Sequence, residues 1–451
     1  MSASARLVDH ALAVRWERIP AAARAAAITF LHDTLCVGAA GRHAAHADAV
    51  LGVAQGWGQG SAASVLGRPG VRLPAASAAF VNAFQIHGQE YDCVHEPAVL
   101  HPMAAVLAAL LAEVERGAPV DGAALLTAIV AGVDVAVTLG VAAGPLGFFR
   151  PATAGIFGCV AAIANLRGME RGMAQDAFGH ALAFASGTMQ AHVEGKPALP
   201  VQVANAARNA LAAVDLARAG MAGVVHPIEG AFGYLALLET QGDIDTAIDR
   251  LADGHHILDV SWKPFPSGRA GHGGIVAVQR LIADHGVTAE TLATLEYHAP
   301  PLIHRLVGRP AVVGMAPGYA RLCLQYLAAV TLLRGTVSLQ DFRPDTLADP
   351  AVLALAARVT VVADDNPDPA AFVPGFALAM LRDGRTVRVD VAAQLGSPAW
   401  PLTPEQHRAK ARACLAFAGL EPQDDAVFAA ISALDRSRNA VADIIATGIM
   451  G

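Results

Sequence analysis

The sequence predicts a mainly α protein: a large all-helical domain formed by both chain ends, with a smaller α+β domain inserted between them. Three observations carry this reading. Apolar residues recur at spacings of three and four through the first 250 or so residues. Near residue 258 the texture changes to short runs with alternation and β-branched residues. After residue 402 helical periodicity returns. The boundaries implied are 1–262 with 400–451 for the helical domain and 263–399 for the α+β domain.

In chain order, helices are expected over 21–40, 47–55, 73–87, 102–116, 121–143, 154–168, 173–187 and 203–219. The breaks between them, GRHAAH, GWGQGS, GRPG, ERGAPVDG, GPLGFFRP and RGMERG, are rich in Gly, Pro and turn-forming polar residues. Pro20 and Pro102 sit at helix starts, where a fixed φ and a missing N–H do no harm. Strands are expected at 258–262, 293–299, 358–365, 375–381 and 386–393, the last two joined by a hairpin turn at Asp383-Gly384. Helices at 319–334 and 349–356 interrupt them, and PLTPEQHRAKARACLAFAG and DAVFAAISALDRS close the chain as helices.

Composition narrows the function classes. At 451 residues the chain is long for one core. It is 54% hydrophobic but only 5% aromatic, which favours small-residue helix packing over an aromatic-rich sandwich. A charged fraction of 16% implies much covered surface, and a homodimer is the simplest cover. The net charge of -7 and the absence of any basic run argue against nucleic acid. Five scattered cysteines with no CxxC pair fit a reducing compartment, and the N-terminal segment lacks a secretory h-region, so a cytoplasmic location is expected. The apolar run 123–143 is long enough to span a bilayer. Asp134 at its centre makes a buried core helix the better reading, and no membrane is expected.

Four segments could carry chemistry. The run 82–103, NAFQIHGQEYDCVHEPAVLHPM, holds His87, Glu90, Asp92, His95, Glu96 and His101. It is compatible with a metal site, a solvated loop, or acid–base and carboxylate-binding use. It contains neither HExxH nor a His-x-His pair, and it lies between two apolar helices, where charged groups are perturbed. Acid–base use is therefore preferred and no metal is assigned. The segment 262–274, WKPFPSGRAGHGG, gathers Lys263, Arg269 and His272 at the proposed domain junction, suited to a carboxylate. Its glycines match no nucleotide-binding loop, and an ordinary linker is the alternative. In 192–208, Glu194, Lys196, Gln202 and Asn205 lie around a helix start that could face an anion. In 149–158, Arg150 is a candidate anion contact, whereas Gly155 and Gly158 read as close helix packing.

Taken in order, these segments resemble the MmgE/PrpD family, over nearly the whole chain. The family's N-x-x-x-x-H-x-x-D-[FY]-D-D and H-P-S runs correspond to Asn82, His87, Glu90, Tyr91, Asp92, Cys93 and then His101-Pro102-Met103. Its K-P-[FY]-P…H segment corresponds to Lys263-Pro264-Phe265-Pro266 with His272, and its A-R-[FL]-S-x-x-Y run to Ala320-Arg321 through Tyr326. Its G-x-P-x-x-P-L-[ST] run corresponds to Gly396 through Thr403. The resemblance implies a helical domain plus a smaller α+β domain, usually as a homodimer. It also implies cofactor-free chemistry on small di- or tricarboxylates, as in the family's 2-methylcitrate dehydratase, cis-aconitate decarboxylase and iminodisuccinate epimerase. Departures are clear. Glu90 and Cys93 alter the acidic run, Phe149 stands at a family histidine, Leu199 at a lysine, Gln202 at a histidine and Leu306 at a tyrosine.

What the resemblance implies for mechanism is proton transfer next to a carboxylate. His101 is the preferred base or acid, with Asp92 and Glu90 orienting it or a substrate hydroxyl. Lys263 stabilises the enediolate-like charge, helped by Arg269. His87, Arg150, Lys196, Gln202, Arg269 and His272 are the expected substrate contacts. A lyase, dehydratase or decarboxylase, is the first expectation. An epimerase or isomerase comes second, and a non-catalytic carboxylate-binding relative third.

Overall fold

The computed structural model describes residues 1–144, 146–239 and 242–451. Pro145, inside the predicted break GPLGFFRP, lies outside the described residues, as do Thr240 and Gln241.

The architecture is mainly α. Helices Ala21–Ala40, Ala75–His87, Pro102–Arg116, Gly122–Ala142, Gly155–Arg167, Arg171–Phe184 and Ala198–Arg218 pack on one another as a continuous core. Their starts follow local chemistry. Asp121 accepts from the Ala124 N–H at 2.7 Å, Glu170 caps the Met173 N–H, and Pro102 occupies the first turn of its helix. Alanine and glycine let the axes approach. At Gly158 an added Cβ would lie 2.7 Å from Ala136 Cβ, so the 122–142 and 155–167 helices touch backbone to backbone.

The helix Gly122–Ala142 passes the length and composition test for a membrane span, yet 89% of its apolar window is buried inside the protein. Asp134 explains how a carboxylate survives at its centre. It accepts from His10 Nε2 at 2.9 Å, from His255 Nδ1 at 2.7 Å and from the His256 N–H at 2.9 Å. Burial alone raises its pKa, but these donors reverse that and hold it below its ordinary value.

The second half carries a four-stranded sheet in the order Val359–Ala363, Leu292–Ala299, Gly375–Leu381, Thr386–Val391. The first pair is parallel and the others antiparallel, with Leu295 opposite Val359 and Ala379. Two departures from expectation stand out. The predicted strand at 258–262 is absent: 256–259 forms a 3-10 turn and only Ser261 bridges to Val94. Among the described residues no strand flanks it, and Trp262 is held by stacking on Phe30 at 3.6 Å. The segment 262–274, for which an ordinary linker is the alternative reading, runs into the helix His272–His285, which is not among the expected helices. At the C-terminal side, Pro404–Phe417 begins with a capping box of Thr403 and Gln406 and packs on Ala21–Ala40.

Candidate active site

The polar run 82–103 begins as the end of one core helix and finishes as the start of another. Helix Ala75–His87 stops at Gly88, and helix Pro102–Arg116 starts after His101. The loop between returns on itself, with Glu90 and Val99 at positive φ of 50° and 48°. Both chain directions thus deliver a histidine to the same carboxylate. His87 Nδ1 donates to Asp92 Oδ2 at 3.0 Å, and His101 Nδ1 lies 3.3 Å from the same oxygen. The two rings meet edge to face with centroids 4.8 Å apart. His101 Nδ1 also lies 2.9 Å from Cys93 O, which can only accept, so Nδ1 carries the proton. In the neutral ring the lone pair is therefore on Nε2. Ligand atoms of His87, Asp92 and His101 lie within 4.8 Å of one another, a closeness the shared hydrogen bonds account for.

Environment then separates the two imidazoles. Burial lowers His101 and the nearby Lys263 charge adds to that, outweighing the pull of Asp92. Burial also acts on His87, but the Asp92 and Glu90 carboxylates more than offset it and hold its pKa above the ordinary value. Asp92 itself is fully buried. Burial pushes it up, yet His87 and His101 keep it well below the carboxylate range.

Lys263 completes the array from 173 residues beyond Glu90. Its Nζ is wholly buried and donates to Glu90 Oε2 at 2.8 Å and Glu90 O at 3.2 Å. Against the cost of burial, Lys263, His87 and His101 bring Glu90 down to about 2. The His101–Asp92–His87–Glu90–Lys263 chain is the only arrangement among the described residues that strings two imidazoles, two carboxylates and an ammonium together.

Two cavities flank it. The smaller, of about 60 Å³, is walled by His101, Glu90, Phe149, Arg150, His192 and Leu306. The larger, of about 400 Å³, is walled by His87, Glu90, Lys196, Leu199, Arg321 and Arg343 among others. Glu90 belongs to both walls. Phe149 and Leu199, standing at the expected histidine and lysine positions, make each chamber less basic at one point.

The remaining sequence candidates fall on different partners. Arg150 is buried against Glu239, with Nε to Oε1 at 3.0 Å, and also donates to Ala98 O, so its charge is neutralised inside the protein. Arg269 donates to Glu96 Oε1 at 2.7 Å and to Leu395 O, and Glu96 also accepts from Ser261 Oγ. This ties the 82–103 loop to the 262–274 segment. His272 accepts from Arg269 at Nδ1 and donates from Nε2 to Ser267 O, fully enclosed in the core. Gln202 clamps the backbone of Thr188, accepting from its N–H at 2.6 Å. Lys196 is exposed at the mouth of the larger cavity.

Two residues escape the sequence argument. His192 faces the smaller cavity as a second imidazole and is brought to about 4, chiefly by burial and then by Arg309. A lone histidine before a loop gives no signal of this. Arg321 is buried at the larger cavity, where burial lowers it to about 9. Only its place in the A-R-L-C-L-Q-Y run could have drawn attention to it.

A mainly helical chain with a small mixed sheet and a buried imidazole–carboxylate–ammonium array is the class that fold and site define. Within that class, the chain belongs to the MmgE/PrpD family. The model of the MmgE/PrpD N-terminal domain matches residues 5–247 and that of the C-terminal domain residues 265–435. Its relatives include cis-aconitate decarboxylase of Mus musculus, 28% identical over 372 residues, covering 78% of this chain and 74% of that protein. Cis-aconitate decarboxylase of Homo sapiens is 28% identical over 312 residues, covering 66% and 63%. A cis-aconitate decarboxylase-like protein, oryM, of Aspergillus oryzae is 28% identical over 376 residues, covering 76% of each.

Proposed function

We propose that the chain is a lyase, a dehydratase or decarboxylase, acting without a cofactor by proton transfer next to a carboxylate of a small di- or tricarboxylate. The observation that carries this is His101. Its Nδ1–H is committed to Cys93 O and Asp92, which leaves a neutral Nε2 lone pair at a chamber wall beside Glu90. A base of depressed pKa beside an acid of raised pKa is the arrangement proton transfer requires. In this reading His101 Nε2 takes the proton α to the carboxylate. His87, proton-bearing at Nε2, donates to the departing or rebuilding group, and the Lys263 charge steadies the enediolate-like intermediate. Asp92 orients both rings. The relatives' cis-aconitate decarboxylase activity supports the substrate class, while Phe149 and Leu199 point to a substrate other than cis-aconitate in its usual pose.

A second reading, an epimerase or isomerase, is favoured by the paired imidazoles themselves. Two protonation states held on one carboxylate suit removal and return of a proton with no leaving group. A non-catalytic carboxylate binder is the third. Release of water or CO₂ from a panel of hydroxy- and unsaturated polycarboxylates supports the lyase. Solvent deuterium entering a substrate without elimination supports the epimerase, and binding with neither signal, unaltered by His101→Ala, supports the third. The same proposal includes a homodimer in a reducing, cytoplasmic compartment, to which five buried unpaired cysteines are suited, and a domain division at 262/263 and 399/400.

A further inference from the structure

Three consecutive carbonyls of the 82–103 loop each accept from a buried cation that arrives from far along the chain. Gln89 O accepts from Arg321 at 2.8 Å, Glu90 O from Lys263 at 3.2 Å and Tyr91 O from Lys410 at 2.9 Å. All three cations are buried. The middle residue, Glu90, has φ at 50°, a left-handed conformation that a residue other than glycine holds only where its surroundings enforce it. Arg321 also walls the larger chamber, and Lys263 also pairs with the Glu90 carboxylate. Lys410 does neither. It sits on helix Pro404–Phe417, lines neither chamber, and pairs with Asp33 of helix Ala21–Ala40, Nζ to Oδ1 at 2.8 Å. Asp33 balances its charge, so what Lys410 adds to the site is a hydrogen bond to the peptide joining Tyr91 to Asp92. Its Nζ also stands 4.2 Å from the centroid of the Tyr91 ring. The Tyr91 hydroxyl in turn donates to Pro264 O at 3.2 Å, next to Lys263.

We infer that Lys410 is a positioning residue: paired with Asp33, it pins Tyr91, and through Tyr91 it sets where Glu90, Asp92 and Lys263 stand against His87 and His101. Asp92, Glu90 and Lys263 are the charges acting on His87, and Asp92, Lys263 and His87 those acting on His101. A loop that slackens therefore alters both rings although Lys410 touches neither. The consequence for turnover rests on the lyase reading; the consequence for the histidines does not.

The double variant Lys410→Met/Asp33→Asn tests it. The variant removes the donor to Tyr91 O and leaves no buried charge unpaired. The two charges lost are opposite, so their direct fields on the histidines largely cancel. The ¹³Cε1 titration of His87 then moves to lower pH, because Glu90 and Asp92 raise that ring only from their present distances. On whichever polycarboxylate turns over, kcat falls by about 10²-fold while KM stays within about threefold. A pair that serves stability alone lowers the urea midpoint and moves neither reading. Parental kcat and a parental His87 titration in the folded double variant therefore overturn the inference. Where the double variant does not fold, Tyr91→Phe cuts only the tie to Pro264 O and gives the same two changes at smaller size, about fivefold in kcat. Unchanged values there overturn the inference as well. A shifted His87 titration with no turnover across the substrate panel supports the positioning role and sinks the lyase. Turnover with both readings unchanged sinks the positioning role and leaves the lyase standing.

Discussion

Two chambers share the Glu90 wall and differ in almost every other respect. The one at His101 is small and lined by Phe149 and Leu306, with a histidine that burial keeps neutral. The one at His87 is several times larger and walled by Lys196, Arg321 and Arg343, with a histidine whose pKa the carboxylates hold above its ordinary value. Both histidines hang on the same carboxylate, Asp92. Residue type and first hydrogen-bond partner therefore do not set the direction of the pKa shift. What separates the two rings is the balance between burial and the other charges: Lys263 lowers both, and the Glu90 carboxylate raises His87 against it. Phe149 lines the first chamber beside His192, its ring 5.8 Å from that of His87.

The comparison can be broken most severely at His101. His101→Gln removes the lone pair and lowers kcat/KM by ~10²–10⁴-fold, read in steady-state assays on whichever polycarboxylate turns over. A loss of under threefold removes His101 from the chemistry. Next in size is Lys263→Met, which leaves Glu90 buried without its partner. We expect a stability loss of about 3–5 kcal/mol in urea unfolding, because an uncompensated buried charge costs more than the pair contributes. Glu90 also gives this pair a pH signature. Its folded pKa of about 2 lies below its ordinary value of 4.5, so its contribution is present above pH 4.5 and is lost as pH falls through 2. In Lys263→Met that acid slope flattens.

A smaller effect sharpens the comparison from outside the site. Asp134→Asn weakens the anchor of His10 and His255 and costs about 1–3 kcal/mol of stability while kcat stays as in the parent chain. A drop in kcat there means that the buried polar centre of the 122–142 helix is coupled to the chambers. The smallest expected effect is that of chelation: dialysis against EDTA leaves turnover unchanged if the proton transfer uses only this chain's residues.

Much of this could be read from the sequence, for reasons that differ by element. The helices 21–40, 102–116 and 122–142 announce themselves because long apolar periodicity admits no strand. The loop cluster was legible because His87, Glu90, Asp92 and His101 lie within fifteen residues of one another and the fold keeps them together. Lys263 came from its Lys-Pro-Phe-Pro run, but the partner it finds, Glu90, is 173 residues away and no periodicity points to it. Arg150 and Arg269 looked like free anion contacts because Glu239 and Glu96 are invisible at such separations. The helix His272–His285 was hidden by Gly273 and Gly274, which lower the helical signal of the run. Tyr297 and Leu324 press so closely that added Cβ atoms would lie 2.3 and 2.6 Å from them.

Asp92 holds two imidazoles whose pKa values are displaced in opposite directions, His87 upward and His101 downward. The most direct test of this is an NMR titration of the ¹³Cε1 signals of all histidines, with His87→Gln and His101→Gln used for assignment. The account predicts that the first proton of the pair is lost with an apparent pKa below 6.5 at His101 and the second above 6.5 at His87, the two coupled through Asp92. The pH–rate profile is then a bell, its acid limb set by His101 and its alkaline limb by His87. An inverted order, with His101 still protonated after His87 has lost its proton, contradicts the assignment of base and acid.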